Sequence, residues 1–148
     1  MVRSEFYVEI ASPRQRVWDF INDVNNLARW QAGIIGVSAT NGMREGSRLT
    51  ITSGERGSGL ILGMEITRND GGATLNARSI SGPVTFEMGY HLREIPGGAR
   101  VEFSNHIHTD ALFREAEEAL QTVSDVRYQA ELLRLKEVLE SSDIPNLR

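Results

Sequence analysis

From Asp110 to Ser141 no proline or glycine interrupts the chain, and Leu120, Val123, Tyr128, Leu132, Leu135, Val138 and Leu139 recur at helical spacing. Thr109 and Asp110 stand in front of the run with side-chain oxygens suited to an N-cap. The pattern predicts a helix, and at 1.5 Å per residue it would span about 48 Å. A globule built from a chain of this size is only about 35 to 40 Å across. The expectation is therefore a bend at Thr122-Val123-Ser124-Asp125, four residues of poor helix propensity. On a helical wheel Glu118, Thr122, Asp125, Gln129, Lys136 and Glu140 make a polar face, while Arg127, Glu131 and Arg134 fall inside the apolar arc. An apolar arc of this width has to be covered, and the residues that precede it are patterned as strands.

Phe6, Val8 and Ile10 alternate with Tyr7, Glu9 and Ala11, a half-buried strand that stops at Ser12-Pro13. Ser12 with Gln15 reads as a capping box, with Pro13 at the first helical position and Val17, Trp18 and Ile21 as the apolar stripe behind it. Asp23 to Trp30 reads as a second short helix, ended before Gly33. Ile34 to Thr40, Ser47 to Thr52, Leu60 to Arg68 and Ala73 to Ile80 then form strands divided by Asn41-Gly42, Gly54-Glu55-Arg56-Gly57 and Asn69-Asp70-Gly71-Gly72. Ser81-Gly82-Pro83 leads to two longer strands, Val84 to Glu94 and Ala99 to His108, joined through Pro96-Gly97-Gly98.

Alternation assigns the faces. If Glu94 lies opposite Ala99, then Phe86 meets Ile107, Met88 meets Asn105, Tyr90 meets Phe103 and Leu92 meets Val101, all on the inner face. The same register sets His91 against Glu102 and His106 against Glu87 on the outer face. Leu60, Leu62, Met64 and Ile66 fall opposite Ser81, Ser79, Ala77 and Leu75, where small residues leave space. The fold expected is α+β: a seven-stranded antiparallel sheet wrapped around a long C-terminal helix, with two short helices after the first strand. It forms one domain over residues 1–148, with fraying at 1–5 and 143–148.

Composition narrows the class. The 148 residues contain no cysteine, which leaves no disulfides or thiolate metal sites and is compatible with a reducing cytoplasm. The formal charge of −4, without a Lys/Arg-rich run, speaks against nucleic acid as a partner. No stretch approaches the roughly 20 apolar residues of a membrane span, and the expectation is a soluble cytoplasmic protein. Nothing in the pattern distinguishes a monomer from a homodimer.

Several stretches together resemble the START-like superfamily (SRPBCC, the helix-grip fold) in its bacterial polyketide cyclase/dehydratase branch. They are Val8-Glu9-Ile10-Ala11-Ser12-Pro13, Arg16-Val17-Trp18-Asp19-Phe20, Asn26-Leu27-Ala28-Arg29-Trp30, Glu45-Gly46-Ser47, Pro96-Gly97-Gly98-Ala99-Arg100-Val101, and Leu132 to Leu139. These are markers of architecture rather than of catalysis. The resemblance implies a cavity between the C-terminal helix and the concave sheet, open near the helix pair and the strand-connecting loops. Its members include lipid and hormone carriers and aromatase/cyclases, so the fold alone assigns no function.

The candidate cavity-lining residues are Trp30, Met64, Ser79, Phe86, Met88, Tyr90, Phe103, Asn105, Leu120, Val123, Arg127 and Glu131. Arg127, Glu131 and Arg134, spaced i, i+4 and i+7, are either a salt-bridged ladder at the edge of the arc or a polar anchor inside it. Arg127 is expected to point inward and meet Glu131, Asn105 or Tyr90. His91, His106 and His108 fall on the outer face and read as solvated cross-strand pairs, so no metal is expected. No bound cofactor is expected either. Gly54 to Gly59 reads as a flexible hairpin loop, a lid for the cavity mouth. Three functions remain open: binding of a hydrophobic, ring-containing small molecule; a polyketide cyclase/dehydratase-type enzyme with Glu131, Tyr90 or Asp125 as its acid–base groups; and a protein-interaction module.

Overall fold

The computed structural model describes residues 2–31, 33–54, 60–82, 84–108 and 116–141. In chain order the elements are β1 (Val2–Ile10), α1 (Arg14–Ile21), a 3₁₀ turn (Val24–Asn26), α2 (Leu27–Trp30), β2 (Ile34–Ala39), β3 (Arg48–Ser53), β4 (Leu60–Asn69), β5 (Thr74–Ser81), β6 (Thr85–Ile95), β7 (Gly98–His108) and α3 (Glu117–Glu140). The seven strands form one antiparallel sheet in the order β1-β7-β6-β5-β4-β3-β2. Strands β2 to β7 are a meander, and β1 joins it beyond β7. The N-cap expected at Thr109 and Asp110, the loop residues 55–59, and the C-terminal fraying lie outside the described residues.

The β6–β7 hairpin has the expected register, with Glu94 opposite Ala99 and Phe86 opposite Ile107. Ile95 pairs with Gly98, so Pro96-Gly97 is a two-residue loop in which proline supplies its fixed φ and Gly97 the φ of 84° that L side chains resist. Gly98 is there for space: a Cβ on it would strike the carbonyl of Ile10.

Four local expectations are corrected. Strand β1 starts at Val2, opposite Ile107, and not beyond a frayed end, because buried Ser4 continues the alternation and gives its hydroxyl a partner in Asp125. The β4–β5 register is displaced by two residues, Met64 facing Ser79 and Ile66 facing Ala77, with irregularities at Gly63/Met64 and Ile66/Arg68 that alternation cannot reveal. The capping box does not form: Pro13 itself is the N-cap of α1, Gln15 bonds Asp19 one turn on, and Ser12 Oγ has no partner among the described residues. Finally, α3 runs unbroken through Thr122 to Asp125. The described helix is about 36 Å long and fits along the sheet without a bend, and Thr122 returns its hydroxyl to the Glu118 carbonyl at 3.1 Å.

The setting of α3 follows from the edge strand it covers. Gln121 exchanges hydrogen bonds with the backbone N–H and C=O of Arg3, at 3.1 and 2.6 Å. Lys136 Nζ donates to the Glu9 carbonyl at 2.7 Å, and Glu140 Oε2 accepts from the Ala11 N–H at 2.7 Å. Residues 121 to 140 of the helix rise about 28 Å, and residues 3 to 11 of a strand cover about 26 Å. The match lets the helix lie parallel to β1 and satisfy the backbone groups that an edge strand exposes. Three residues expected on the polar face, Asp125, Lys136 and Glu140, are therefore part of the seam to the sheet. The Ala11 N–H, and after it Lys136, holds the Glu140 carboxyl below its ordinary pKa.

The helix then divides by depth. In its C-terminal half Leu132, Leu135 and Leu139 are buried in the same cluster as Ile10, Val17, Ile21, Leu92 and Val101. Its N-terminal half faces a cavity. Val123, inside the expected arc, is 63% exposed while Ser124 is buried, so the buried face is rotated from the one expected on the wheel; Val126 and Leu133 are exposed as well.

The β4–β5 turn carries the clearest pH-dependent element. Asp70 Oδ1 accepts from the N–H groups of Gly72, Ala73 and Thr74, at 3.1, 2.9 and 2.9 Å. These bonds, Thr74 first, lower its pKa from 3.8 to about 2. A depressed carboxyl stabilises the fold above its unfolded pKa and loses that contribution as pH falls. Asp70→Ala is expected to lower stability by about 1 kcal/mol at neutral pH, with the difference from wild type vanishing between pH 4 and pH 2. Urea titrations at a series of pH values measure both.

Candidate functional site

Between α3, α2 and the concave face of the sheet lies a cavity of about 280 Å³. Each wall has a simple local origin. The alternation of β3, β4, β5 and β6 aims Leu49 and Ile51, Leu62, Met64 and Ile66, Leu75 and Ala77, and Phe86, Met88 and Tyr90 inward. Helix α2 is only one turn long, begins after Asp23 has accepted the Asn25 N–H at 2.9 Å, and swings Leu27 and Trp30 over one end. Leu120, Val123, Ser124, Arg127, Tyr128 and Glu131 of α3 close the opposite side.

An aromatic chain crosses the structure from α2 to α3. The Trp30 and Tyr90 rings are 5.6 Å apart edge to face, Tyr90 and Phe103 are 5.0 Å apart, and Phe103 and Tyr128 are 4.7 Å apart. Gln31 Nε2 reaches the Tyr90 hydroxyl at 3.4 Å. Burial, and then the neighbouring charge of Glu131, push the Tyr90 hydroxyl well above its ordinary pKa. Burial also raises that of Tyr128, with Arg127 opposing and Glu131 adding to it. Both phenols stay neutral at physiological pH and can donate a hydrogen bond.

The charged feature of the wall is one ion pair. Glu131 is 4% exposed, and its Oε1 accepts from Arg127 Nε at 3.2 Å; the Arg127 side chain is 51% exposed. The pair bridges the buried wall and the rim. Arg127 was expected in the middle of the inward arc, and the rotation of α3 moves it to the edge, with its inward partner kept. Arg134 is drawn away: its Nε donates to the Arg29 carbonyl at 2.7 Å and ties α3 to the last turn of α2.

Nine of the candidate residues form part of the wall: Trp30, Met64, Phe86, Met88, Tyr90, Leu120, Val123, Arg127 and Glu131. Three lie outside it. Ser79 Oγ accepts from the Phe86 N–H at 2.9 Å and serves the strand pairing. Phe103, 3% exposed, is held behind the wall between Tyr90 and Tyr128. Asn105, 1% exposed, is sealed from the cavity with neither amide atom hydrogen-bonded among the described residues, so it does not join the network expected with Arg127. An unsatisfied amide of this kind costs about 1 to 3 kcal/mol. The indole N–H of Trp30 is likewise buried without a partner among the described residues. Sequence reasoning missed Met43, Leu49, Ile51 and Gln31 as wall residues. The inward alternation of β3 was a usable signal for Leu49 and Ile51, whereas Met43 sits in a loop.

On the outer face His91 and His108 are exposed and His106 is half-buried. His91 lies opposite Glu102 as expected, but its Nδ1 is 2.9 Å from Thr74 Oγ1, and the Glu102 carboxylate is taken by Arg93 and Arg100 at 3.1 and 3.2 Å. An arginine fork outcompetes a histidine ring for a carboxylate. Among the described residues no helix is long and apolar enough to cross a membrane.

A concave antiparallel sheet gripping a C-terminal helix around an apolar cavity is a helix-grip fold. Residues 1–140 match the family described as polyketide cyclase / dehydrase and lipid transport, and the chain belongs to that family. No curated protein matches it by sequence. Among solved structures, TTHA0849 from Thermus thermophilus superposes with a TM-score of 0.72 at 20% identity, over 92% of this chain and 94% of its own. The di-domain ARO/CYC BexL from the BE-7585A biosynthetic pathway gives 0.77 at 17% identity, over 93% of this chain and 46% of its own. The di-domain ARO/CYC StfQ from the steffimycin biosynthetic pathway gives 0.79 at 10%, over 94% and 51%. This chain thus spans about half of each di-domain protein. At these identities the likeness is one of fold.

Proposed function

We propose that the cavity binds a hydrophobic, ring-containing small molecule. The observation that carries this reading is the wall itself: an apolar, aromatic-lined space of about 280 Å³ with an ion pair running from its interior to its rim. That volume is near the lower end of small-molecule pockets, which span about 300 to 1,000 Å³. Trp30 and Tyr90 give a ring-containing ligand aromatic surface to pack on, and an acidic substituent on it would meet Arg127 at the mouth.

A thermal-shift screen of hydrophobic aromatics, followed by native mass spectrometry of the hits, tests the reading. Failure of every such compound to stabilise the protein would count against it. Arg127→Met is expected to weaken acidic ligands by about 1.5 kcal/mol, the low end for a charged hydrogen bond because the guanidinium is half in water, and to leave neutral ones nearly unchanged. Isothermal titration of a carboxylated and an uncarboxylated hit measures the difference.

A cyclase or dehydratase working in the same cavity is a second reading. It is favoured by the buried carboxylate of Glu131, whose charge reaches the hydroxyls of Tyr90 and Tyr128. Incubation with a poly-β-ketone separates the two readings: a dehydrated or cyclised product supports the enzyme, and recovery of unchanged bound ligand supports the carrier.

A further inference from the structure

Along the seam between α3 and β1 the polar groups account for one another. Ser4 Oγ donates to Asp125 Oδ1 at 2.8 Å, and Gln121 Nε2 donates to the same oxygen at 2.9 Å. Asn105 is the register partner of Ser4 on β7 and is left out of this cluster. Its side chain is 1% exposed, and neither Oδ1 nor Nδ2 has a hydrogen-bond partner among the described residues. The amide has two donors and an acceptor with two lone pairs, all idle. A strand interior has no need of asparagine, which pairs poorly with a pleated apolar surface.

The position of Asn105 gives the amide a use. On the inner face it is flanked along β7 by Phe103 and Ile107, and it stands opposite Met88 of β6. Ile107 and Met88 are both part of the cavity wall, so the amide lies directly behind it. Residues opposed on one face of an antiparallel pair have Cβ atoms about 4.5 to 5.5 Å apart, which puts the Met88 side chain beside Asn105. Met88 is half-buried and unbranched, with the rotameric freedom to turn aside.

We propose that Asn105 is a latent polar subsite of the cavity, uncovered when Met88 is displaced, and that it selects ligands whose apolar ring carries a neutral hydroxyl or carbonyl group. This rests on the reading of the cavity as a binding site. It also divides the recognition: the neutral amide takes an uncharged oxygen at the interior end, and Arg127 takes an anion at the mouth.

The test uses 2-naphthol and 2-methylnaphthalene, a pair of matched shape that differs by a hydroxyl in place of a methyl. Each is titrated in competition with N-phenyl-1-naphthylamine, a neutral fluorescent reporter, and the quantity read is the ratio of the two dissociation constants. Asn105→Leu is expected to shift this ratio about 3- to 10-fold toward 2-methylnaphthalene, the worth of one neutral hydrogen bond. Asn105→Ala, which adds no volume, supplies the same comparison if the leucine variant does not fold. An unchanged ratio, with both probes still bound, overturns the subsite and leaves the cavity reading standing. Failure of the wild-type protein to bind either probe overturns both.

Discussion

Phe103→Ala is expected to lower the free energy of unfolding by about 3 to 5 kcal/mol, seen as a lower urea midpoint at unchanged slope. Phe103 touches no part of the cavity, yet it joins the two structures that make the cavity possible. Its ring lies 5.0 Å from Tyr90 on the sheet and 4.7 Å from Tyr128 on α3. Removing it deletes both ring contacts and leaves a void that Val101 and Asn105, its neighbours along the inner face of β7, are too short to fill. A loss below about 1 kcal/mol would show that Tyr90 and Tyr128 close over the gap, in which case the aromatic chain is not what holds the helix to the sheet.

Leu135→Ala is expected to cost about 2 to 5 kcal/mol, with the effect spread along α3 as faster amide exchange from Leu132 to Leu139. Leu135 is 0% exposed, in the part of the helix that is packed solid. The N-terminal half of α3 borders empty volume and packs chiefly through the Phe103–Tyr128 contact, so the leucines at the other end supply most of the remaining packing that holds the element in place. The alternative is that the polar seam of Gln121, Asp125, Lys136 and Glu140 carries the attachment. A cost under about 1 kcal/mol in Leu135→Ala would establish that alternative, against the expectation that exposed charged contacts of this kind contribute little individually.

These two results bear on why the fold was legible from sequence while the site was only partly so. The hairpin register was readable because Pro96-Gly97 permits one turn geometry and alternation does the rest, so Phe86, Met88 and Tyr90 could be aimed inward with no structure in hand. The β4–β5 register was not readable, since its irregularities depend on how the strands coil and on close contacts such as Gly63 against Ser81. Leu49 and Ile51 were within reach of the same alternation argument, and their place in the wall needed only the knowledge that β3 curls over the cavity.

The helix shows the boundary most clearly. Its existence and its role as the object gripped by the sheet followed from spacing and the absence of breakers. Its rotation about its own axis did not follow. A helical wheel ranks faces by hydrophobicity, and on that measure Arg127 belonged in the middle of the buried arc, with Val123 inside it. The decisive term is absent from any wheel: β1 is an edge strand with unpaired backbone groups, and Gln121, Lys136 and Glu140 turn toward it to satisfy them. That rotation turns Ser124 inward, keeps Tyr128 and Glu131 there and leaves Arg127 at the rim. Sequence alone thus determined which elements form and which faces of the strands are apolar, because those are properties of local periodicity. The tertiary structure decided where the polar atoms of the site point, because hydrogen-bond satisfaction is settled only when the edge of the sheet and the side of the helix meet.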